Sequence, residues 1–263
     1  MAEFVIRVGC RSAQGLRSKN EDRFVADPEH HLFLVADGMG GQEFGERASG
    51  MAAEIIPRIV QDRLAANDNP DNAVKHALAE ANQAIIQASQ SQAAGRRMGT
   101  TAVLAIQRAD QVYVAGLGDS RAYLIRGNQI EQLTADHTVA KALERNGTLT
   151  PEQAKHSPWN NILYKFLGCA EMTEDAEVRP FTPAAGDRLI LASDGLTNFV
   201  SDADLIEGST KYSNPDEWAE ILVRIALDRG SRDNCTCAVI AFPGDAGAAP
   251  TPPRSRKWWQ LWR

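Results

Sequence analysis

The chain has 263 residues, 43% of them hydrophobic, and a formal net charge of -6. That length and apolar fraction suit a globular protein with a proper core. The acidic balance argues against a nucleic-acid binder that works by neutralising phosphates, but a bound metal can still supply local positive charge for a phosphorylated substrate. Cys10, Cys169, Cys235 and Cys237 lack zinc-ligand spacing and are expected to be reduced, mostly buried thiols. Met1–Val8 lacks the basic start and sustained apolar run of a secretory signal. No stretch approaches the ~20 consecutive apolar residues of a membrane span, so the expected setting is cytoplasmic.

The first expected strand is Phe4–Val8, followed by a polar loop over Arg11–Arg23 and a second strand over Leu32–Ala36. Ala52, Ile55, Ile56, Ile59 and Val60 make an apolar stripe on a helix from about Phe44 to Ala65; Pro57 should kink it or mark its restart. Asp71 can cap a second helix reaching about Ser89. The period then turns strand-like: Ala102–Ile106, Val112–Ala115, Ala122–Ile125 and Ile130–Leu133 follow one another closely, as in an antiparallel meander. An insertion with helical potential spans about 136–174, and Thr150-Pro-Glu-Gln153 is a good helix start. Strands Val178–Phe181 and Leu189–Ala192, a helix near Pro215–Asp228 and a last strand over Cys235–Phe242 complete the domain, expected to occupy 1–243. Residues 244–253 are a Gly/Ala/Pro linker, and 254–263 form a basic tail rich in tryptophan.

Three apolar runs end in an aspartate beside a small residue: His31–Ala36 at Asp37-Gly38, Val112–Ala115 through Gly116-Leu-Gly118 at Asp119-Ser120, and Arg188–Ser193 at Asp194-Gly195. Carboxylates at the ends of buried strands are costly unless something pairs with them. A divalent cation would do so, and an all-oxygen set selects a hard ion, Mg²⁺ or Mn²⁺, over zinc. Arg17, Glu21 and Asp22 crowd one early loop, and Arg232-Asp233-Asn234 precedes the last strand. Singly, each of these short motifs is weak, since Asp-Gly pairs are usually turns.

Their order resembles the metal-dependent serine/threonine protein phosphatases of the 2C type, in their short bacterial form. The matching stretches are Arg17-Ser-Lys-Asn-Glu-Asp22, Val35-Ala-Asp-Gly-Met-Gly-Gly41, Gly99-Thr-Thr101, Gly118-Asp-Ser-Arg121, Leu133-Thr-Ala-Asp-His137, Ser193-Asp-Gly195 and Gly230-Ser-Arg-Asp-Asn234. They span about Val5 to Phe242. The resemblance implies an α+β fold, a four-layer α-β-β-α sandwich of two antiparallel sheets flanked by helix pairs, with 136–174 as a flap. It also implies a centre holding two Mn²⁺ or Mg²⁺ ions, with Asp37 bridging, Gly38 offering its carbonyl, and Asp194 and Asp233 as further ligands. A third, weaker ion would take Asp119 with Asp194. Arg17 would grip the substrate phosphate through its planar fork. Glu21, Asp22, Asp136 and Asn234 would stand behind the ligands. The reaction implied is hydrolysis of phosphoserine and phosphothreonine in proteins by a metal-activated water, opposing a bacterial Ser/Thr kinase. No phosphoenzyme is needed, so Ser120, Ser193 and Cys169 have no required nucleophilic role.

Two departures stand out. Met39 occupies the position where many eukaryotic relatives carry a histidine proposed as general acid, and Asn198 stands where some relatives carry another acid. His137 reads as an imidazole hydrogen-bonded in the core; His30, His31, His76 and His156 show no partner and default to the surface. Two alternatives share the fold, a catalytically silent phosphoprotein-binding module and a phosphatase of small phosphoesters. An independent monomer is the simplest expectation. Trp258, Trp259 and Trp262 lie among Arg254, Arg256, Lys257 and Arg263, a composition suited to an anionic membrane interface or a partner, or to folding back on the domain. If the tail localises the protein, truncation at Arg254 will abolish liposome or partner binding and leave turnover intact. Unchanged binding would refute that role.

Overall fold

The computed structural model describes residues 6–41, 43–90, 98–172 and 175–243. Phe4, Val5, Glu174, the linker and the tryptophan-rich tail lie outside them. Among the described residues, eleven strands form two antiparallel sheets. The first contains β1 (Arg7–Ala13), β11 (Cys235–Ala241), β10 (Arg188–Ala192), β7 (Arg121–Arg126) and β8 (Gln129–Gln132), in that spatial order. The second runs β2 (Asp22–Asp27), β3 (Leu32–Met39), β5 (Ala102–Arg108), β6 (Gln111–Leu117) and β9 (Val178–Phe181), with the short β4 (Gly99–Thr100) on β3.

Side-chain alternation along the central strands divides the interior into layers. In β3, Phe33 and Val35 face the other sheet, while Leu32, Leu34 and Ala36 face α1 (Glu43–Ala65) and α2 (Pro70–Gln90). Ala238 and Ile240 of β11, and Phe242 just after it, enter the layer between the sheets. Cys235, Cys237 and Val239 pack instead with α7 (Pro215–Asp228) and α6 (Asp202–Lys211). A strand buried on both faces has no polar side, which is why these segments read as unbroken apolar runs. Burial of apolar area at roughly 25 cal/mol per Å² drives this layering. The four cysteines are free thiols; burial pushes Cys10 up to about 12 and Cys235 to about 11.

Several expectations are corrected. The first strand continues past Val8 to Ala13, so the expected Arg11–Arg23 loop shortens to residues 14–21 between β1 and β2. β2 is an edge strand of sequence DRFVAD, too charged to announce itself. The four strands after Thr101 are two hairpins in different sheets, not one meander: β5–β6 and β7–β8 are joined by a crossover at Gly118–Ser120. α1 continues through Pro57. Asn69, not Asp71, caps α2, its Oδ1 accepting from the Asp71 N–H at 2.9 Å, with Pro70 at the first helical position. The structure adds two helices to those the sequence predicts, α5 (Asp194–Thr197) and α6.

The insertion carries α3 (Val139–Arg145) and α4 (Pro151–Lys155), the latter opened by a capping box between Thr150 and Gln153. Its stem is tied to the sheet by the bridge Thr100↔Leu167, and Thr138↔Leu163 closes its near end. Asn82 of α2 locks the same stem: its Oδ1 accepts from Gly168 N–H at 2.6 Å and its Nδ2 donates to the Cys169 carbonyl at 3.3 Å. Asn82 is buried, so losing both bonds leaves backbone groups unpaired. Asn82→Ala is expected to lower stability by about 1–3 kcal/mol, read as a lower urea midpoint with an unchanged slope.

Candidate metal centre

Antiparallel pairing gathers the ends of β3, β6 and β10 and the starts of β2 and β11 at one end of the sandwich. Asp37 lies near the end of β3, directly across from Asp22 at the start of β2. Asp119 sits on the crossover after β6, Asp194 opens α5 after β10, and Asp233 precedes β11. Arg17, Glu21, Asp37, Gly38, Asp119, Asp194, Asp233 and Asn234 line one cleft of about 580 Å³. The structure thus assembles most of the site residues expected from sequence.

The carboxylates disturb one another strongly. Asp37 is held well above the ordinary carboxylate range, first by burial and then by Asp22, Asp194, Asp119 and Asp233. Burial, then Asp194 and Asp136, raises Asp119 to about 7. Burial chiefly, with Asp194 adding, raises Asp22 to about 6. Asp194 is raised by burial and by Asp233, and Glu21 by burial, with Arg17 opposing.

A web of hydroxyls and amides holds these acids in place. Asp37 N–H donates to Thr101 Oγ1 at 2.9 Å, and Thr101 shares a 2.6 Å bond with Ser120. Ser193 Oγ donates to Asp22 Oδ2 at 2.9 Å and accepts from Thr236 N–H at 3.0 Å, so both serines are occupied in positioning. Asn234 Oδ1 accepts from Glu21 N–H at 2.9 Å, while its Nδ2 donates to the carbonyls of Gln14 and Lys19. This one side chain pins the early loop to the Asp233 turn. Two glycines are required by geometry. A Cβ on Gly38 would lie 2.1 Å from the Gly45 carbonyl of α1, and Gly118 turns the crossover at φ +96°. Thr101, Ser193 and Asn20, whose Oδ1 accepts from Asp22 N–H, stood inside the quoted motifs without a role; only the fold reveals their partners.

Other residues fall differently from expectation. Arg17 Nη2 bonds Asp233 Oδ2 at 2.6 Å, because a guanidinium among acids takes a carboxylate. Its side chain is 61% exposed and lines the cleft, and a guanidinium carries five N–H donors in all. Asp136 is buried against Arg121, which holds it with a bidentate pair of 2.9 and 2.7 Å; it reaches Asp119 only as a neighbouring charge. His137 alone is as expected, a hydrogen-bonded imidazole: it sits edge-on to Tyr164 and its Nδ1 accepts from Gly118 N–H, with burial lowering it to about 4. His30 and His156 do have partners, Asp27 and Glu152, each at 2.8 Å. Asn198 Nδ2 donates to Asp194 Oδ2 at 3.4 Å, and Met39 lines the cleft.

The donor set fits hard divalent cations. It is all oxygen, its acids repel one another, and the buried Asp22 Oδ1 has no hydrogen-bond partner. No three of the described side chains close into a ready-made cage. An open array is what Mg²⁺ prefers, since it keeps several waters and takes one or two carboxylates.

Such an array at one end of a double β-sheet sandwich, with an arginine at its edge, marks a metal-dependent enzyme for an anionic substrate. The family model of protein phosphatase 2C matches residues 6–146. The serine/threonine phosphatase Stp of Listeria innocua is 34% identical over 231 residues, 86% of this chain and 91% of that protein. The crystal structure of the serine/threonine phosphatase PstP/Ppp of Mycobacterium tuberculosis superimposes with a TM-score of 0.80 at 30% identity, covering 91% of this chain and 100% of that one. A structure of the PstP catalytic domain in complex with two manganese ions aligns at a TM-score of 0.75 and 30% identity, covering 91% and 99%. The chain belongs to the protein phosphatase 2C family, the metal-dependent protein phosphatases.

The raised carboxyls give the metal-free protein a definite pH response. A carboxyl whose folded pKa exceeds its unfolded value, about 3.9, binds its proton more tightly when folded, so its contribution to stability falls as pH rises between the two. For Asp119 that fall extends to about pH 7. In EDTA, raising the pH from about 5 to about 7.5 is expected to cost on the order of 2 kcal/mol. Asp119→Asn will shrink this loss and saturating Mn²⁺ will suppress it; urea midpoints across that range measure both.

Proposed function

We propose that this chain hydrolyses phosphoserine and phosphothreonine in proteins with two divalent ions, Mn²⁺ or Mg²⁺, held by Asp37, the Gly38 carbonyl, Asp194 and Asp233. The observation that carries this reading is the convergence of Asp37, Asp119, Asp194 and Asp233 with Arg17 in one cleft. When bound, a metal pair of this kind lowers the pKa of water and offsets charge on phosphoryl oxygens.

The chain's own residues bind and orient. Arg17 turns its free N–H groups to the substrate phosphate, two parallel charge-assisted bonds being the favoured geometry. Asp22, fixed by Ser193, offers its free oxygen as an acceptor behind Asp37. Asn234 and Ser49, whose Oγ donates to the Glu21 carbonyl, keep Glu21 facing the cleft. Asp119 with Asp194 would hold a third, weaker ion, with the amide of Asn198, 3.4 Å from Asp194 Oδ2, where another charge would otherwise stand. Met39 lines the cleft but carries no proton to give, and His137 is not among the residues that line it, so neither side chain donates a proton to the leaving oxygen. Water fills that role.

We also infer that the enzyme opposes a Ser/Thr kinase and works as a monomer, with the tail for attachment to a membrane surface or a partner. Among the described residues no helix is long and apolar enough to cross a membrane.

Phosphate release from a phosphothreonine peptide tests the reaction. Release is expected with Mn²⁺ and none with EDTA. Asp37→Asn should lower kcat by at least about 100-fold, and Arg17→Ala should lower kcat/KM by about 10–100-fold. A folded protein inactive with every divalent cation would instead be a silent phosphoprotein-binding module. Activity confined to free phosphometabolites would make it a small-phosphoester phosphatase.

A further inference from the structure

Among the described residues, the large apolar side chains left exposed are Leu16, Trp159, Ile162 and Tyr164, at 73%, 47%, 49% and 41% of their full surface. Single exposed apolar residues are ordinary on any protein; a concentration of them beside a site is not. All four belong to the two segments that border the cleft. Leu16 immediately precedes Arg17. Trp159, Ile162 and Tyr164 belong to the turn of the insertion whose Asn161, Ile162 and Leu163 line the cleft.

Both segments are held by backbone bonds, so this exposure is built in. Leu16 N–H donates to the Arg232 carbonyl at 3.1 Å. The Trp159 carbonyl accepts from Ala140 and Ile162, Val139 N–H donates to the Ile162 carbonyl at 2.8 Å, and Tyr164 N–H donates to the His137 carbonyl at 3.0 Å. Tyr164 already rests against His137 and Arg145. Leu16, Trp159 and Ile162 keep their apolar surface turned to water.

A protein substrate that delivers a phosphorylated side chain to Arg17 must lay its backbone across this rim. We propose, resting on the protein phosphatase reading above, that the preferred substrate is an extended phosphopeptide with apolar side chains on both flanks of the phosphorylated residue. One flank is read by Leu16 and the other by Trp159 with Ile162. Polar selection at the phosphate would thus be joined to apolar selection on either side. Burying such side chains against tryptophan and leucine removes water without requiring any further charge on the protein.

The test uses the full chain with Mn²⁺ and a series of phosphothreonine peptides whose flanking residues are Leu or Phe, Ala, or Asp. A preference of about tenfold in kcat/KM for apolar over alanine flanks is expected, the size of discrimination a modest hydrophobic contact supplies. Leu16→Ser should erase the preference on one flank only, and Trp159→Ser on the other. Because each preference is a ratio measured on one enzyme, a general change in activity does not mimic it. Equal hydrolysis across the series would overturn this proposal alone, whereas no hydrolysis of any peptide would overturn the phosphatase reading with it. Flat selectivity together with a concentration-dependent dimer that Trp159→Ser dissolves would assign the patch to a second copy and refute the substrate role.

Discussion

Like charge brought together and held there is the constraint on which this molecule turns. Asp22 and Asp37 face each other across the β2–β3 pair, and Asp119, Asp194 and Asp233 all act on Asp37 as neighbouring charges. Left to themselves such groups would separate or take up protons, since partial burial disfavours each ionised form. They stay because their backbones are fastened elsewhere, by Thr101 under Asp37, Ser193 under Asp22, and Asn234 between the Glu21 and Asp233 loops. The same excess of negative charge explains why Arg17 rests on Asp233 and why the site suits hard divalent cations.

Rigidity of that kind has to come from the interior. The two sheets bury one another through Phe33, Val35, Leu191 and Ile240, and each is backed on its outer face by helices. A closely packed core has few alternative arrangements, so the strand ends that carry the acids cannot drift apart to relieve repulsion. Glycine works at the same junctions. Gly38 lets the end of β3 approach α1, and Gly118 lets the chain turn from one sheet into the other just before Asp119.

Legibility from sequence followed burial. β3, β5, β6, β10 and β11 are apolar on both faces and were plain, as were α1, α2 and α7 with their stripes. β2 is not legible, because an edge strand of sequence DRFVAD carries little of that signal. α6 was missed because only its Leu205 and Gly208 are buried, leaving no stripe to read. The meander was misjudged because spacing along the chain says that strands follow one another, not that the hydrogen-bonding partner changes between β6 and β7. Pro57 did not break α1, since tertiary packing overrides local propensity.

For the site, the sequence alone determined the identity of the acids and of Arg17, and with them an all-oxygen donor set suited to a hard divalent cation. Those are properties of side-chain chemistry and of motif order, which survive without coordinates. Tertiary structure decided which groups meet. It put Asp136 on Arg121, gave Ser193 and Thr101 their positioning roles, made Gly118 N–H the partner of His137, and placed Leu16 and Trp159 in the two segments that border one cleft. Such contacts join residues as distant in the chain as Asp22 and Ser193, and only the closing of the two sheets over a shared core brings them within reach.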